Sequence, residues 1–211
     1  MRTKTLLLAA AAAVAGIASL QAQSNVYSVN VVGYVNVTVP ANGYKLIANP
    51  LNATNNTIGS LLPSVPANTL FYKYNGGYTS YQFDEFDLSW APNANATLNP
   101  GEGGFIRNVT GTPMTLTFVG EVLQGALTNA VPAGYSIRSS KVPQAGAITT
   151  VLGYPGAPND LVYKYNGGYT SFQFDEFDLS WAPSEPSFEV GEAFFAFRGA
   201  SSDWVRNFTG P

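Results

Sequence analysis

Tyr72–Pro92 reads YKYNGGYTSYQFDEFDLSWAP, and Tyr163–Pro183 reads YKYNGGYTSFQFDEFDLSWAP. The two stretches lie 91 residues apart and match at 20 of 21 positions, the one change being Tyr81 against Phe172. A long match at a fixed offset marks two copies of one structural unit. Inside each copy, Asn-Gly-Gly separates runs rich in aromatic and β-branched side chains, the residues that suit a pleated, half-buried surface. Asn and Gly tolerate the positive φ that tight turns require, so Thr69–Tyr74 and Tyr78–Phe83 are predicted to form a hairpin through Asn75-Gly76-Gly77. Loops of two or three residues both fit, which leaves the register open.

The flanks of the repeat are also β in character. Val26–Pro40 is a Val- and Tyr-rich strand candidate in which Gly33 suggests a bulge or a break. Ala41-Asn42-Gly43 is a turn signal before the short strand Tyr44–Leu51, which Asn49-Pro50 stops. Asn52–Ser60 reads as loop, and Ile58–Leu62 has room for a helical turn before Pro63. After the repeat, Pro100–Gly104 turns into a strand at Phe105–Val109, and Met114–Val122 closes the first copy. The second copy repeats this order and ends on a strand at Val205–Thr209. Beyond the leader no apolar period of 3.6 residues persists over a helix length. The predicted fold class is all-β: two tandem small β-sandwich or partly open barrel modules related by the internal repeat.

Arg2 and Lys4 precede an alanine-rich apolar run from Leu6 to Leu20, with Gln21-Ala22 as a cleavage site. This is the composition of a secretory signal peptide, too short and too alanine-rich for a membrane span. The expected organisation is residues 1–22 signal peptide, 23–30 lead-in, 31–121 first module and 122–208 second module. The two modules could instead pack as one pseudo-twofold domain. The expected location is secreted, periplasmic or cell-surface, without membrane insertion of the mature chain. Removing residues 1–22 leaves 189 residues with 8 basic and 13 acidic side chains, a net charge of −5. That acidity argues against nucleic acid and against anionic membrane surfaces as partners. An exported chain without cysteine has no disulfides, so packing, above all by aromatic rings, must hold each copy together.

GYKLIANPL, YKYNGGYTSY and NPGEGGFIRN in succession resemble the "GWNLIGNP … PGQGFFV" β-modules of exported proteins from environmental bacteria of the Verrucomicrobia type. The resemblance covers about Val31–Gly120. It is looser in the second copy, where Ser140-Lys141 replaces Asn49-Pro50 and GEAF replaces GEGG. It implies a secreted or surface β-module and carries over no functional residue.

The chain contains neither His nor Cys. Ser–His and Cys–His nucleophiles are therefore excluded, as are zinc and copper sites built on those ligands. Asp84-Glu85-Phe86-Asp87 and Asp175-Glu176-Phe177-Asp178 gather much of the acidic charge. Adjacent acids in one segment do not face each other across a cleft as glycosidase carboxylates do. No cofactor is expected beyond a structural calcium ion, for which Asp84, Asp87, Asp175 and Asp178 are the candidate ligands. The competing reading is structural, with the acids bonding free backbone N–H groups at a bend while Phe86, Leu88 and Trp90 point inward from an extended segment.

The aromatics admit two readings as well. Tyr72, Tyr74, Tyr78, Tyr81, Phe83 and Trp90 could fill the core of a disulfide-free module, or form a stacking surface for sugar rings with Gln82 and Asp84 supplying hydrogen bonds. Tyr78, Tyr81, Gln82 and Trp90, with Tyr169, Phe172, Gln173 and Trp181 in the second copy, are the candidate ligand-binding residues. The expected function is an exported, non-catalytic structural or surface-interaction protein that meets cell-envelope components or copies of itself. The alternative is a carbohydrate-binding module that meets polysaccharide through the repeated hairpin.

Overall fold

The computed structural model describes residues 31–210, so the leader and the lead-in lie outside the described residues. The first copy contains β1 (Val32–Val39), β2 (Tyr44–Ile47), the single-turn α1 (Ile58–Leu61), β3 (Leu70–Tyr74), β4 (Tyr78–Phe83), β5 (Trp90–Ala91), β6 (Gly104–Arg107) and β7 (Met114–Glu121). The second contains β8 (Gly125–Val131), β9 (Gly134–Arg138), β10 (Gly146–Ala147), β11 (Leu161–Tyr165), β12 (Tyr169–Phe174), β13 (Trp181–Ala182), β14 (Ser187–Phe188), β15 (Phe194–Arg198) and β16 (Ser202–Phe208). Each copy forms a five-stranded antiparallel sheet, in the order β2-β6-β3-β4-β5 and its counterpart β9-β15-β11-β12-β13. A two-stranded ribbon accompanies each sheet, β1 with β7 and β8 with β16. The described residues are thus almost entirely β and sandwich-like, with several antiparallel sheets and, among these residues, no closed barrel.

Alternation along the strands sets what each sheet buries. Phe71, Phe83 and Ile106 share one face of the first sheet, and the ribbon covers that face with Val35, Val37, Val39, Leu116 and Phe118. Isoleucine and leucines from α1 and the residue after it seal the same core. The second core is built on Val162, Phe174, Phe194 and Trp204, with Tyr154 fully buried among them. Gly33 makes neither a bulge nor a break, because β1 runs unbroken with Gly33 opposite Gly120. Its role is close approach: a Cβ there would lie 2.6 Å from Leu51.

The hairpin loop has three residues. Tyr74 pairs with Tyr78, and Asn75 N–H donates to the Gly77 carbonyl at 3.0 Å, with Gly76 at φ +72°. This register divides the repeat's rings between two faces. Phe71, Tyr81 and Phe83 turn to the core, while Tyr72, Tyr74 and Tyr78 take the opposite face with Phe105 of β6.

Those opposite faces meet each other. Residues 31–210 form one compact unit, and the contacts between the copies come in reciprocal pairs. Ile47 at the end of β2 bridges to Glu192, as Arg138 at the end of β9 bridges to Glu102. Ala48 N–H donates to the Gly191 carbonyl at 2.9 Å, and Ser139 N–H to the Gly101 carbonyl at 3.1 Å. Each Gly-Glu turn therefore covers the edge strand of the other copy, which an open sheet would leave with free N–H and C=O groups. Gly101 (φ +97°) and Gly191 (φ +78°) hold the left-handed conformation this turn needs.

The DEFDLSW segment departs from the extended, inward-facing arrangement expected of it. Asp84 N–H donates to the Ser89 carbonyl at 2.8 Å, which closes a tight loop, and Leu88 sits at φ +49°. The loop breaks the two-residue alternation, so only Trp90 reaches the core. Phe86 is 86% exposed and Leu88 65%, and Phe177 and Leu179 repeat this at 86% and 64%.

Candidate functional site

The seam between the two sheets has its own hydrophobic cluster, in which Phe105 is buried with Leu46, Ala48, Ile137 and Ala193 while Tyr72, Tyr74, Tyr165 and Phe195 pack around them. Cross-strand register places Phe105 beside Tyr72, and Tyr44 beside Arg107, on the outer face of the first sheet. Tyr44 stands 6.3 Å from Tyr72 and edge-on to Phe105 at 6.4 Å. Tyr78 closes against Tyr72 and Phe105. Tyr165 arrives from the second copy and meets Phe105 edge-on at 5.0 Å. Together Tyr44, Tyr72, Tyr78, Phe105 and Tyr165 line a surface cavity of about 370 Å³. That volume lies within the range of small-ligand sites, and both copies are needed to line it.

Apolar burial alone does not account for these rings. Tyr78 remains 51% exposed and its counterpart Tyr169 53%. Partial burial and the neighbouring Tyr169 phenol raise the pKa of Tyr78, and partial burial and Tyr44 raise that of Tyr72. Both groups therefore stay neutral through the physiological range and keep an O–H to donate. The Arg107 guanidinium lies over the Tyr44 ring, 5.4 Å from its centroid. Among the described residues no carboxylate lines the cavity.

The sequence-derived candidates divide by strand parity. Tyr78 and Tyr169 belong to the seam. Trp90 and Trp181 are 3% and 6% exposed, and their indole N–H groups donate to the Leu62 carbonyl at 3.0 Å and to Thr149 Oγ1 at 2.8 Å. Rings buried and bonded in this way fill the cores and face no ligand. Tyr81 and Phe172 pack against the same cores. Gln82 donates to Asn68 Oδ1, and Gln173 to Asn159 Oδ1, each bracing the neighbouring loop. Tyr44, Phe105 and Tyr165 were not among the candidates. Tyr165 shares the parity of Tyr169 across the three-residue loop, which is the signal that would have found it.

The acidic clusters brace their own loops. Asp84 Oδ1 accepts from Phe86 N–H at 2.7 Å and Asp87 N–H at 3.0 Å, and Asp175 does the same for Phe177 and Asp178 at 2.8 and 2.9 Å. These N–H bonds hold both carboxyls below the ordinary aspartate pKa. Asp87 and Asp178 enter the arrangement through their backbone only. Among the described residues no three Asp or Glu side chains converge as metal ligands would.

A further carboxylate has a clear structural task that the sequence reading missed. Glu102 Oε2 accepts from Lys73 Nζ at 2.8 Å, Asn99 N–H at 2.8 Å and Thr97 Oγ1 at 3.0 Å. Burial opposes its ionisation, but Lys73 and these donors outweigh burial and lower its pKa. Lys164 and Glu192 repeat the pair at 3.3 Å. The Gly-Glu turn is thereby tied to the hairpin in both copies. No family model, curated protein or solved structure matches this chain.

Proposed function

We propose that the chain is an exported, non-catalytic surface-interaction protein that binds carbohydrate through the tyrosine-lined cavity at the seam. One observation carries this reading: two exposed tyrosines, Tyr44 at 37% and Tyr78 at 51%, stand at a cavity of ligand size whose other lining residues are also aromatic. The C–H faces of a pyranose ring pack on aromatic faces, and neutral phenols donate to sugar hydroxyls. The leader-like composition of residues 1–22 supports export. A chain without His or Cys, and a cavity without a carboxylate among the described residues, support binding without turnover. The test is retention of the mature protein on insoluble polysaccharides, with Tyr78→Ala and Tyr72→Ala alongside. Retention that both substitutions weaken at unchanged melting temperature is the expected result. A protein that passes through every polysaccharide, or variants that bind as the parent does, would reject the proposal.

A role in assembly draws on a different observation, the twin loops that present Phe86 and Phe177 to solvent. Each loop also exposes a leucine two residues on, Leu88 or Leu179, and clustered exposed apolar side chains mark protein contacts where single ones do not. Sedimentation of the parent against a Phe86→Ala/Phe177→Ala variant tests it. A parent that is monomeric at high concentration would remove the case for self-association.

A further inference from the structure

One corner beside the seam cavity is cationic, where the Arg107 guanidinium lies over the ring of a lining tyrosine. Arg107 reaches the outer sheet face from the strand that also supplies Phe105, and it is the register partner of both Tyr44 and Leu70. Its guanidinium stacks on Tyr44, a lining residue. It is also near enough to Tyr72 to favour ionisation of that phenol, against the larger opposing effect of burial. The ion pairs among the described residues are Lys73–Glu102, Lys164–Glu192 and Arg198–Asp160, so Arg107 has no carboxylate of its own. Its Nε is buried and has no hydrogen-bond partner. Among the described residues the Nε atoms of Arg138 and Arg198 are buried and unpartnered in the same way, so this atom does not by itself mark a ligand.

The pseudo-twofold relation supplies an internal comparison. In the second copy Phe197 occupies the position of Arg107, and its ring packs on Tyr135 at 4.8 Å. That corner is filled by hydrocarbon. Fold and ring packing are therefore compatible with an apolar residue at this position, and the cation in the first copy is not needed to build the seam.

We infer that the cavity selects an anionic sugar, a uronate-bearing polysaccharide whose carboxylate is met by Arg107 while the tyrosines carry the ring. This rests on the carbohydrate reading above. A guanidinium presents paired N–H groups that match the two oxygens of a carboxylate, and such charge-assisted bonds are the stronger kind. The neutral phenols place donors, and no opposing negative charge, on the remaining sides.

The experiment titrates the mature full chain with two matched probes, an oligogalacturonate and its fully methyl-esterified form. The two share every ring and hydroxyl and differ in the methyl group that caps each carboxyl and removes its charge. The parent should bind the acid at least about tenfold more tightly, and added salt should narrow the gap. Arg107→Gln should remove the preference, bringing the ratio of acid to ester affinity to about one. Equal binding of the two probes by the parent would overturn the inference and leave the carbohydrate reading standing, as would an Arg107→Gln variant that keeps the preference. If neither probe binds and Tyr78→Ala changes nothing on any polysaccharide, the carbohydrate reading falls, and the inference with it.

Discussion

Tyr74 stands edge-on to Phe195, with ring centroids 4.8 Å apart, and the pair joins the first copy to the second. Its pseudo-twofold counterpart, Tyr165 on Phe105, repeats the contact at 5.0 Å. Edge-to-face pairs of this kind stabilise beyond the area they bury. Here they also position Tyr165 over the cavity, so the interface that unites the copies completes the candidate site.

The seam should accordingly be sensitive at its tightest point. A Cβ on Gly103 would lie 2.5 Å from both Ala193 Cβ and Ile137 Cγ2. Gly103→Val should destabilise the protein by about 1–3 kcal/mol, the range for overpacking a close contact. Urea unfolding measures this, and a variant as stable as the parent would mean that the seam yields easily.

The two aromatics of each DEFDLSW segment should behave in opposite ways. Trp90→Ala or Trp181→Ala should cost about 3–5 kcal/mol, because each empties a buried ring site. Phe86→Ala or Phe177→Ala should stay within about 0.5 kcal/mol, as exposed substitutions usually do. Chemical denaturation of the four variants distinguishes these outcomes.

Glu102 gives a pH dependence with a definite sign. Its pKa is lowered in the folded state from an ordinary value of 4.5, so its contribution is fully present above that value. The contribution is lost as pH falls below 4.5 through the lowered folded value. Glu102→Gln should therefore be less stable than the parent at neutral pH, and the difference should shrink under acid. Thermal melts across this range check it, and a difference that persists at the acid end would contradict the assignment.

At the acidic loops, Asp84→Asn should be nearly silent because the amide oxygen still accepts the Phe86 and Asp87 N–H groups. Asp84→Ala should lower the melting temperature more. Neither calcium nor chelator should shift the parent's melt, since a ligand of the native state would stabilise it by mass action. A calcium-dependent rise that Asp84→Asn with Asp175→Asn abolishes would assign metal binding to these loops.

Local rules made a good part of this protein legible from its residues. The 91-residue repeat, the Asn-Gly-Gly hairpin, the turn and strand order and the all-β class follow from side-chain periodicity and turn chemistry, which act over a few neighbours. The buried tryptophans and the Asp84 brace were within reach of the same reasoning. Leu88 was not, since a positive φ at a leucine becomes visible only once the closed loop imposes it. The face taken by each tyrosine depended on one undecided residue of loop length, because a shift of one position in a strand sends every side chain to the opposite side. The cavity lay further out of reach. Tyr44, Phe105 and Tyr165 come from three strands and two copies, and reciprocal backbone contacts at Gly101 and Gly191 bring them together. Periodicity contains no term for such distant contacts, so tertiary packing alone decided where the exposed rings converge.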